Sequence, residues 1–359
     1  MSKIDIYRPN TLTIIATHKC TAECESCCFD CGPKRQTQLS EDSIKNIIDE
    51  TLSSFPSVKL VVLTGGEAML LGIEALCRII RYTKEKSNLH YFRIVSNGYW
   101  AYSVERAKQI LSKLRSAGLD ELSISTGDYH QKFVPVSHIY NIITAHETTN
   151  SILHLAISVE DHRDGNLFKK SDLDIFVKKF NLSKSKRTFV VNSPWIENGQ
   201  ATRFQVIERD LTKYRSINEL FTDEVERLSF EKGECGCDSL YSGIQINPQQ
   251  QMLACCGFAA EYSPLLKLGD IRNHRNSLNS YLNEQYYDIV KMLLYVYGAK
   301  RLYRFFTGKA LPVSIHNCEV CLHILQTATF LEAIMDLKKN SAQVLLAQFH
   351  QKRSQTKYE

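Results

Sequence analysis

Strand-like and helix-like stretches alternate from residue 11 to residue 192, and this alternation constrains the fold more than any other feature. Short apolar runs rich in β-branched residues predict six strands, at residues 11–16, 58–63, 90–95, 121–125, 153–159 and 188–191. Apolar residues at helical spacing predict helices between them, at 40–52 (with Ser40 as the N-cap), 74–83 and 104–114. The pattern is typical of βα units around a parallel sheet, in which ligands bind beyond the carboxyl ends of the strands.

Three cysteines follow the first predicted strand with C-x3-C-x2-C spacing, at Cys20, Cys24 and Cys27. Three thiolates leave one position of a four-iron cluster open, whereas ferredoxins and closed structural sites use all four positions. The spacing therefore indicates chemistry at an open iron. The adjoining Cys28 and Cys31 also permit two C-x2-C pairs, which are typical of zinc knuckles, so structural zinc is the alternative interpretation of this loop.

The cysteine loop resembles that of radical S-adenosylmethionine (SAM) enzymes, in which the amino and carboxylate groups of SAM chelate the open iron. After the second predicted strand, Gly65-Gly66-Glu67 resembles the family's motif for the SAM amino group. Glycines let a backbone approach a ligand closely, and a carboxylate accepts hydrogen bonds from an ammonium group. The alternative is a tight turn before a helix. The chain departs from the family at Ser26, where an aromatic residue is usual, and Phe29 is expected to pack there instead.

The resemblance implies a partial (β/α)6 barrel at residues 1–202, because six βα units match the family fold. By resemblance, the strand-end residues Asn97, Ser125 and Arg163 lie where the family contacts the ribose or carboxylate of SAM. Asp128 and His130 follow the fourth strand. They are expected either to form a carboxylate–imidazole pair for acid–base catalysis or to make an exposed Asx turn.

The cysteines return in the C-terminal part, which we divide into a connecting region (203–230), a twitch- or SPASM-like domain (231–325) and a C-terminal helix with a basic tail (326–359). Residues 242–254 predict a hairpin with an Asn-Pro turn. A hairpin that presents a thiolate, followed later by C-x2-C, resembles the extensions that carry auxiliary iron–sulfur clusters in radical SAM enzymes. No cysteine follows Cys321, so the resemblance implies one auxiliary four-iron cluster.

The expected ligands of that cluster are Cys255, Cys318 and Cys321, with Cys237 or Cys235 as the fourth. Cys256 is then a spare thiol. It either donates a hydrogen atom to the substrate, as in some peptide epimerases of the family, or packs in the core, which is the commoner fate of such a thiol. The same alternatives hold for Cys28 and Cys31. Cys77, inside an apolar helix, is expected to be a core thiol.

The composition agrees with a cytoplasmic enzyme. A chain of 359 residues, 43% of them hydrophobic, can form one barrel and one smaller domain. Its 12 cysteines favour metal sites over disulfides, because neither an N-terminal signal nor an apolar run of membrane length is evident. We therefore predict no transmembrane segment. The net charge of +5 is spread along the chain, which argues against nucleic-acid binding.

The resemblance implies that a flavodoxin- or ferredoxin-type donor supplies an electron, that SAM is cleaved to methionine and a 5′-deoxyadenosyl radical, and that hydrogen is abstracted from a substrate. A ribosomally synthesised peptide is the first expected substrate, because auxiliary-cluster extensions are frequent among peptide-modifying members; a small-molecule metabolite is the alternative. With Cys20 so near the start, no leader-peptide-binding domain is expected ahead of the barrel. The alternative from another class is a zinc-binding interaction module, against which Gly65-Gly66-Glu67 and the six βα units argue.

Two segments near the C-terminus remain. Residues 286–306 combine aromatic and basic side chains and predict a packed helix with a solvated basic side; the alternative is a surface that lies on a membrane or covers a substrate groove. Residues 322–352 predict mostly one long helix with a basic end.

Overall fold

The computed structural model of the chain describes residues 9–24, 27, 29–86, 89–149, 153–159, 188–192, 196–197, 200–201, 217–221, 236–273, 278–311 and 317–355. Six parallel strands follow one another in chain order, as predicted: β1 Thr11–Thr17, β2 Leu60–Gly65, β3 Tyr91–Ser96, β4 Glu121–Thr126, β5 His154–Val159 and β6 Thr188–Asn192. They form an open, mostly parallel sheet, and the partial-barrel prediction is confirmed.

The helices between these strands cover one face of the sheet. They are α1 Glu41–Ser54, α2 Ile73–Lys84, α3 Val104–Ala117, the short α4 Asp128–Gln131 and α5 Val136–Thr148. Helix α1 begins where predicted, because the side chain of Ser40 accepts a hydrogen bond from the N–H of Ser43 at 3.1 Å. Its Ile44, Ile47 and Ile48 are buried in the main hydrophobic core, each stabilising the fold by about 1.5–3 kcal/mol.

The strands alternate between a covered face and an open one. Fully buried side chains under the helices include Leu12, Ile14, Val61, Leu63, Phe92 and Ile94. Partly exposed side chains, which the strand register places together on the other face, include Thr11, Thr13, Leu60, Val62, Tyr91 and Arg93. Arg93 forms an ion pair there with Glu121, at 2.8 Å. This partly exposed face is therefore the one that the helices leave uncovered.

The C-terminal hairpin extends the same sheet. Strand β9, Gly243–Ile246, runs parallel to β1 on the side away from β2, with Thr11 opposite Gly243 and Ile14 opposite Ile246. Strands β10, Gln251–Leu253, and β11, Lys267–Asp270, continue the sheet in antiparallel sense. The predicted hairpin and its turn are confirmed. Two short strands, β7 Ile196–Glu197 and β8 Gln200–Ala201, pair separately.

The rest of the described C-terminal part is helical. The helices are α6 Phe258–Tyr262, α7 Leu278–Tyr286, α8 Ile289–Tyr297, α9 Ala299–Thr307, α10 Asn317–Leu325, α11 Ala328–Met335 and α12 Lys339–Gln355; short 3-10 turns span Ala68–Leu71, Ile217–Phe221 and Pro264–Leu266. Residues 286–306 are packed, as favoured, with Tyr295, Tyr303 and Phe306 buried. The prediction of one helix with a solvated basic side is wrong, because the segment spans the end of α7, α8 and most of α9, and Lys291 is buried. No described helix is both long and apolar enough to cross a membrane.

The prediction of one long helix at residues 322–352 is wrong. The chain turns between Leu325 and Ala328 and again between Met335 and Lys339. The physical reason is packing on two neighbouring helices, since the Phe330 ring lies 5.3 Å from that of Phe306 in α9, and the Phe349 ring lies 5.5 Å from that of Tyr295 in α8. The domain boundaries stay a prediction, and most of the connecting region 203–230 lies outside the described residues.

Candidate active site

The two glycines after β2 lie against the backbone that follows β1. The N–H of Gly66 donates to the carbonyl oxygen of Thr17 at 2.7 Å, and the N–H of Glu67 donates to that of Lys19 at 2.9 Å. Gly65 has a φ of 127°, which favours glycine. A Cβ atom on Gly66 would lie 2.2 Å from the Lys19 oxygen. In this structure, the two glycines let the end of β2 approach the cysteine loop closely.

The Glu67 side chain is fully buried between two strand ends. Its Oε1 accepts a hydrogen bond from the N–H of Met69 at 2.9 Å, and its Oε2 accepts one from the N–H of Asn97 at 2.7 Å. Burial raises the pKa of this carboxyl to about 7, although these hydrogen bonds oppose the shift. Glu67 therefore forms the turn given as the alternative. The Ser96 side chain also hydrogen-bonds to this carboxyl, and the contact of Glu67 with the SAM ammonium stays a prediction.

Asn97 connects the end of β3 to the cysteine loop. Its Nδ2 donates to Thr21 Oγ1 at 3.0 Å and lies 3.7 Å from the Sγ of Cys20. Its Oδ1 accepts a hydrogen bond from the N–H of Tyr99 at 3.0 Å, which fixes the amide orientation. The amide is thus held beside the first loop cysteine. Its predicted contact with SAM is not tested by these distances.

The loop cysteines form one small group in the described structure. Cys20 and Cys31 are buried together with Ala22, and Cys24 and Cys27 pack against them. Backbone N–H groups point at two of the sulfurs: that of Ala22 lies 3.4 Å from Cys20 Sγ, and that of Cys31 lies 3.3 Å from Cys27 Sγ. Cys28 lies outside the described residues.

The electrostatics of this group fit a site for a cation. Burial, together with the nearby Glu67 and Cys27, raises the pKa of Cys20 to about 12, although two backbone hydrogen bonds oppose the shift. A bound metal reverses this preference, because the thiolate is the form that ligates. The donor set therefore fits an iron–sulfur cluster. Among the residues that the structure describes, no three His, Cys, Asp or Glu side chains are arranged to share one metal ion, so cluster binding is a proposal.

The remaining candidates for SAM binding and acid–base catalysis are only partly described. Ser125 is partly exposed near the end of β4. His130 lies close enough to Glu67 for its charge to lower the pKa of that carboxyl. Asp128 begins α4, but its side chain lies outside the described part, as does all of Arg163. The Asp128–His130 pair therefore stays a prediction.

A second group of thiols lies in the C-terminal part. Four of them, Cys237, Cys255, Cys318 and Cys321, line one largely apolar cavity. Burial raises the pKa of Cys255 well above its usual range, and the neighbouring thiols raise it further. This set is the predicted auxiliary ligand set with Cys237 as the fourth member, and its donor chemistry fits a four-iron cluster. Cys235 lies outside the described residues.

The two thiol groups lie toward opposite ends of the β1–β9 strand pair. Cys20 follows the carboxyl end of β1, whereas Cys255 follows β10, which runs back toward the beginning of β1. Strand β1 is 7 residues long, which corresponds to roughly 20 Å between its ends. Cys256, partly exposed, lies at the auxiliary end. The Cys256 thiol also raises the pKa of Cys237 and Cys255, so it lies within this thiol group, and its role as a hydrogen-atom donor or a packed thiol stays a prediction.

Two polar residues of this region were not found from the sequence. His18, just before the cysteine loop, and Glu261, on α6, approach each other at 3.9 Å. The position of His18 beside Cys20 was an available signal. Nothing in the local sequence distinguishes Glu261 from the other acidic residues of the chain.

The part of the chain that holds the cysteine loop and the Gly-Gly-Glu motif matches a known family. Residues 14–152 match the family model of the Radical SAM superfamily. The fold is also similar to that of anSMEcpe. The structure of anSMEcpe with bound AdoMet matches with a TM-score of 0.53 at 13% identity, covering 91% of this chain and 97% of that one. Its complex with AdoMet and the peptide Cp18Cys matches with a TM-score of 0.52 at 13% identity, covering 95% and 99%.

A curated relative is YydG of Bacillus subtilis (strain 168), which is named as a peptide biosynthesis protein. It is 29% identical to this chain over 136 residues. The match spans 37% of this chain and 40% of the length of YydG.

Proposed function

We propose that this protein is a radical SAM enzyme that modifies a ribosomally synthesised peptide. The observation that carries the proposal is the connection of the cysteine loop to the Gly-Gly-Glu motif. Glu67 donates its backbone N–H to Lys19, and Asn97 connects Glu67 to Cys20. This connection lies within residues 14–152, the part that matches the family model.

In the proposed enzyme, Cys20, Cys24 and Cys27 hold a four-iron cluster with one open iron. When bound there, the cluster and SAM supply one-electron cleavage to a 5′-deoxyadenosyl radical, which abstracts a hydrogen atom from the substrate. The chain's own residues bind and orient SAM. Glu67 accepts hydrogen bonds from the ammonium group, Gly65 and Gly66 keep the backbone close, and the strand-end residues Asn97, Ser125 and Arg163 contact the ribose and carboxylate.

The C-terminal part is proposed to be a twitch-like auxiliary domain. Cys237, Cys255, Cys318 and Cys321 line one cavity, and four thiols are the complete ligand set of a closed four-iron cluster. Asp128 and His130 are proposed for proton transfer. A flavodoxin- or ferredoxin-type protein is the proposed electron donor. The cytoplasm is the proposed location, because the ten described cysteines are present as thiols, as expected in a reducing compartment.

A peptide is the first proposed substrate because YydG, the curated relative, is named for peptide biosynthesis. The fold also holds AdoMet and a peptide together in anSMEcpe. A small-molecule metabolite remains the alternative substrate that sequence reasoning left open.

Anaerobic reconstitution tests the cofactors. We expect about eight irons and eight sulfides per chain, as two four-iron clusters require, and reductive cleavage of SAM to 5′-deoxyadenosine. Replacing Cys20, Cys24 and Cys27 together by Ala should remove about half of the iron and all SAM cleavage.

The matched control is Cys77→Ala, which removes a buried thiol of α2 that the proposal does not use. It should keep the full iron content. Zinc in place of iron, or SAM cleavage that survives the triple substitution, would contradict the proposal and favour a zinc-binding module.

A further inference from the structure

A polar pocket lies between the cysteine loop and the C-terminal hairpin. Its volume is about 340 Å³. Its walls come from the cysteine loop, from β10 and the turn before it, from α6 and from β11; they include His18, Phe29, Gln249, Gln251, Glu261 and Lys267.

The sheet topology brings these elements together. Because β9 runs parallel to β1, the turn after β9 lies at the same edge of the sheet as the cysteine loop after β1. Asn247 in this turn donates from Nδ2 to the Oε2 of Glu261 at 3.2 Å, which fixes the carboxylate on α6. Phe29 packs against the loop cysteines and also lines the pocket, so the pocket and the proposed cluster site share a wall.

Two polar atoms in this pocket are buried without a hydrogen bond. The Nε2 of His18 and the Oε1 of Glu261 have no hydrogen-bond partner among the described residues. They lie 3.9 Å apart, and the two side chains are 13% and 8% exposed. A buried polar group left unsatisfied destabilises the folded state. Such a group in a native structure therefore calls for a partner that reaches it.

The pair matches the hydrogen-bonding pattern of an extended peptide. In a hydrogen-bonded pair of an antiparallel sheet, one residue directs both its N–H and its C=O toward the same neighbour. Glu261 Oε1 can accept from such an N–H, and His18 Nε2–H, in the tautomer that carries the proton there, can donate to the C=O. The amide side chains of Gln249 and Gln251 add both donors and acceptors to the same walls.

The charges of the pocket favour an uncharged backbone over a strongly charged ligand. Glu261 and Lys267 contribute opposite charges, and Asp30 and Arg35 form an ion pair with each other. Walls with charges of both signs are not electrostatically complementary to a large anion or to a large cation.

We propose that this pocket binds an extended segment of the peptide substrate, with His18 and Glu261 holding the N–H and C=O of one residue. The proposal rests on the proposed function, whose substrate site it locates. It places the peptide beside the loop of Cys20, Cys24 and Cys27, across the boundary between the radical SAM domain and the C-terminal part.

Binding is measured without turnover, so that it is separate from catalysis. The reconstituted full-length protein is incubated anaerobically with a synthetic pool of random octapeptides, and retained peptides are quantified by mass spectrometry after ultrafiltration. His18→Leu and Glu261→Leu should each lower retention by about tenfold to a hundredfold, as expected for loss of a hydrogen bond to a buried or charged group. His18→Gln keeps an N–H donor and should retain much of the binding.

Glu284→Leu is the matched control, because Glu284 is an exposed carboxylate on α7. It should retain peptides as the wild type does. Equal retention in all variants, or no retention by the wild type above a blank filter, would overturn the pocket assignment. Iron content and SAM cleavage are measured on the same samples. A wild-type protein that binds no iron or does not cleave SAM counts against the proposed function. Normal iron content and SAM cleavage in the His18 and Glu261 variants show that these variants fold.

Discussion

The Glu67 carboxylate and the Asn97 backbone join the ends of two neighbouring strands through a buried hydrogen bond of 2.7 Å. Glu67 follows β2, and Asn97 follows β3 and reaches the cysteine loop through its side chain. A shift of the carboxylate would therefore move both the loop and the strand end. The proposed contact of Glu67 with SAM is additional to this structural role. A Glu67 variant is therefore measured twice, once for folding stability and once for SAM affinity.

The first prediction concerns stability and pH. Burial raises the pKa of Glu67 to about 7 from the ordinary 4.5. Between these values the folded chain keeps a proton that the unfolded chain releases, so folding stability falls as the pH rises from about 4.5 to about 7. Glu67→Gln should remove this dependence, up to about 3 kcal/mol.

Urea unfolding of wild type and Glu67→Gln at pH 5 and pH 8 measures the effect. Glu85→Gln, at an exposed position after α2, is the control and should follow the wild type. A wild-type protein whose stability relative to Glu67→Gln is the same at both pH values would show that Glu67 keeps an ordinary pKa.

The second prediction concerns SAM. Glu67→Gln keeps the shape and loses the charge that the SAM ammonium would meet. A hydrogen bond to a charged group contributes roughly 1.5–3 kcal/mol, so SAM affinity should fall by about tenfold to a hundredfold. Equilibrium dialysis of the reconstituted variant measures it, with iron content as the control. Unaltered affinity would leave Glu67 only its structural role.

The third prediction concerns Gly66. A Cβ atom there would lie 2.2 Å from the carbonyl oxygen of Lys19 and 3.2 Å from the Cβ of Cys20. Because backbone cannot move aside as a flexible side chain can, Gly66→Ala should displace the cysteine loop and remove about half of the bound iron. Gly32→Ala is the control in the same loop, since its nearest contact is 3.4 Å, to the side chain of Glu23. Full iron content in Gly66→Ala would contradict the tight packing of β2 on this loop.

The fourth prediction concerns Gly257. A Cβ atom there would lie 2.6 Å from the Sγ of Cys318 and 3.8 Å from the Sγ of Cys255. Gly257→Ala should therefore push one proposed ligand away and lower auxiliary iron, and it should destabilise the C-terminal part, because metal binding is coupled to folding. Gly66→Ala serves as the reciprocal control, since it should spare this site. Mössbauer spectra that show both clusters intact in Gly257→Ala would contradict the predicted displacement of Cys318.

The fifth prediction concerns Cys256. Cys256 is partly exposed within the auxiliary thiol group, and the commoner fate of a thiol that binds no metal is to be a bystander. Cys256→Ala should therefore keep full iron content, SAM cleavage and normal product formation. Loss of iron would instead make Cys256 a ligand, and SAM cleavage without the normal product would make it the hydrogen-atom donor. Product analysis by mass spectrometry distinguishes the three outcomes.

The local parts of the fold were predictable from the sequence, and the distant pairings were not. Apolar alternation located β1 to β6, and Ser40 marked the start of α1 because a cap acts on its own helix. The pairing of Thr11 with Gly243 could not be predicted from the residues around either position. Which strands pair depends on the assembled sheet. For the same reason the contact of His18 with Glu261 was missed, and the turns that interrupt residues 322–352 carry neither Gly nor Pro.

The candidate site divides in the same way. The spacing of Cys20, Cys24 and Cys27 predicted a shared loop, because three residues close in sequence can reach one ligand. The grouping of Cys237 with Cys255, Cys318 and Cys321 was predicted only through the resemblance, with Cys235 left as an alternative. The structural role of Glu67 was visible only once the ends of β2 and β3 lay side by side.

The position of β1 between β2 and β9 has a consequence for biosynthesis. A ribosome completes β1 and β2 long before it reaches Gly243–Ile246. During that interval one edge of β1 presents N–H and C=O groups that β9 will later occupy, and open edges invite pairing with other chains. Pairing between distant segments is also slow, because a long loop must close first. The nascent chain therefore exposes this edge until β9 is made, and release of the chain before residue 243 should favour aggregation.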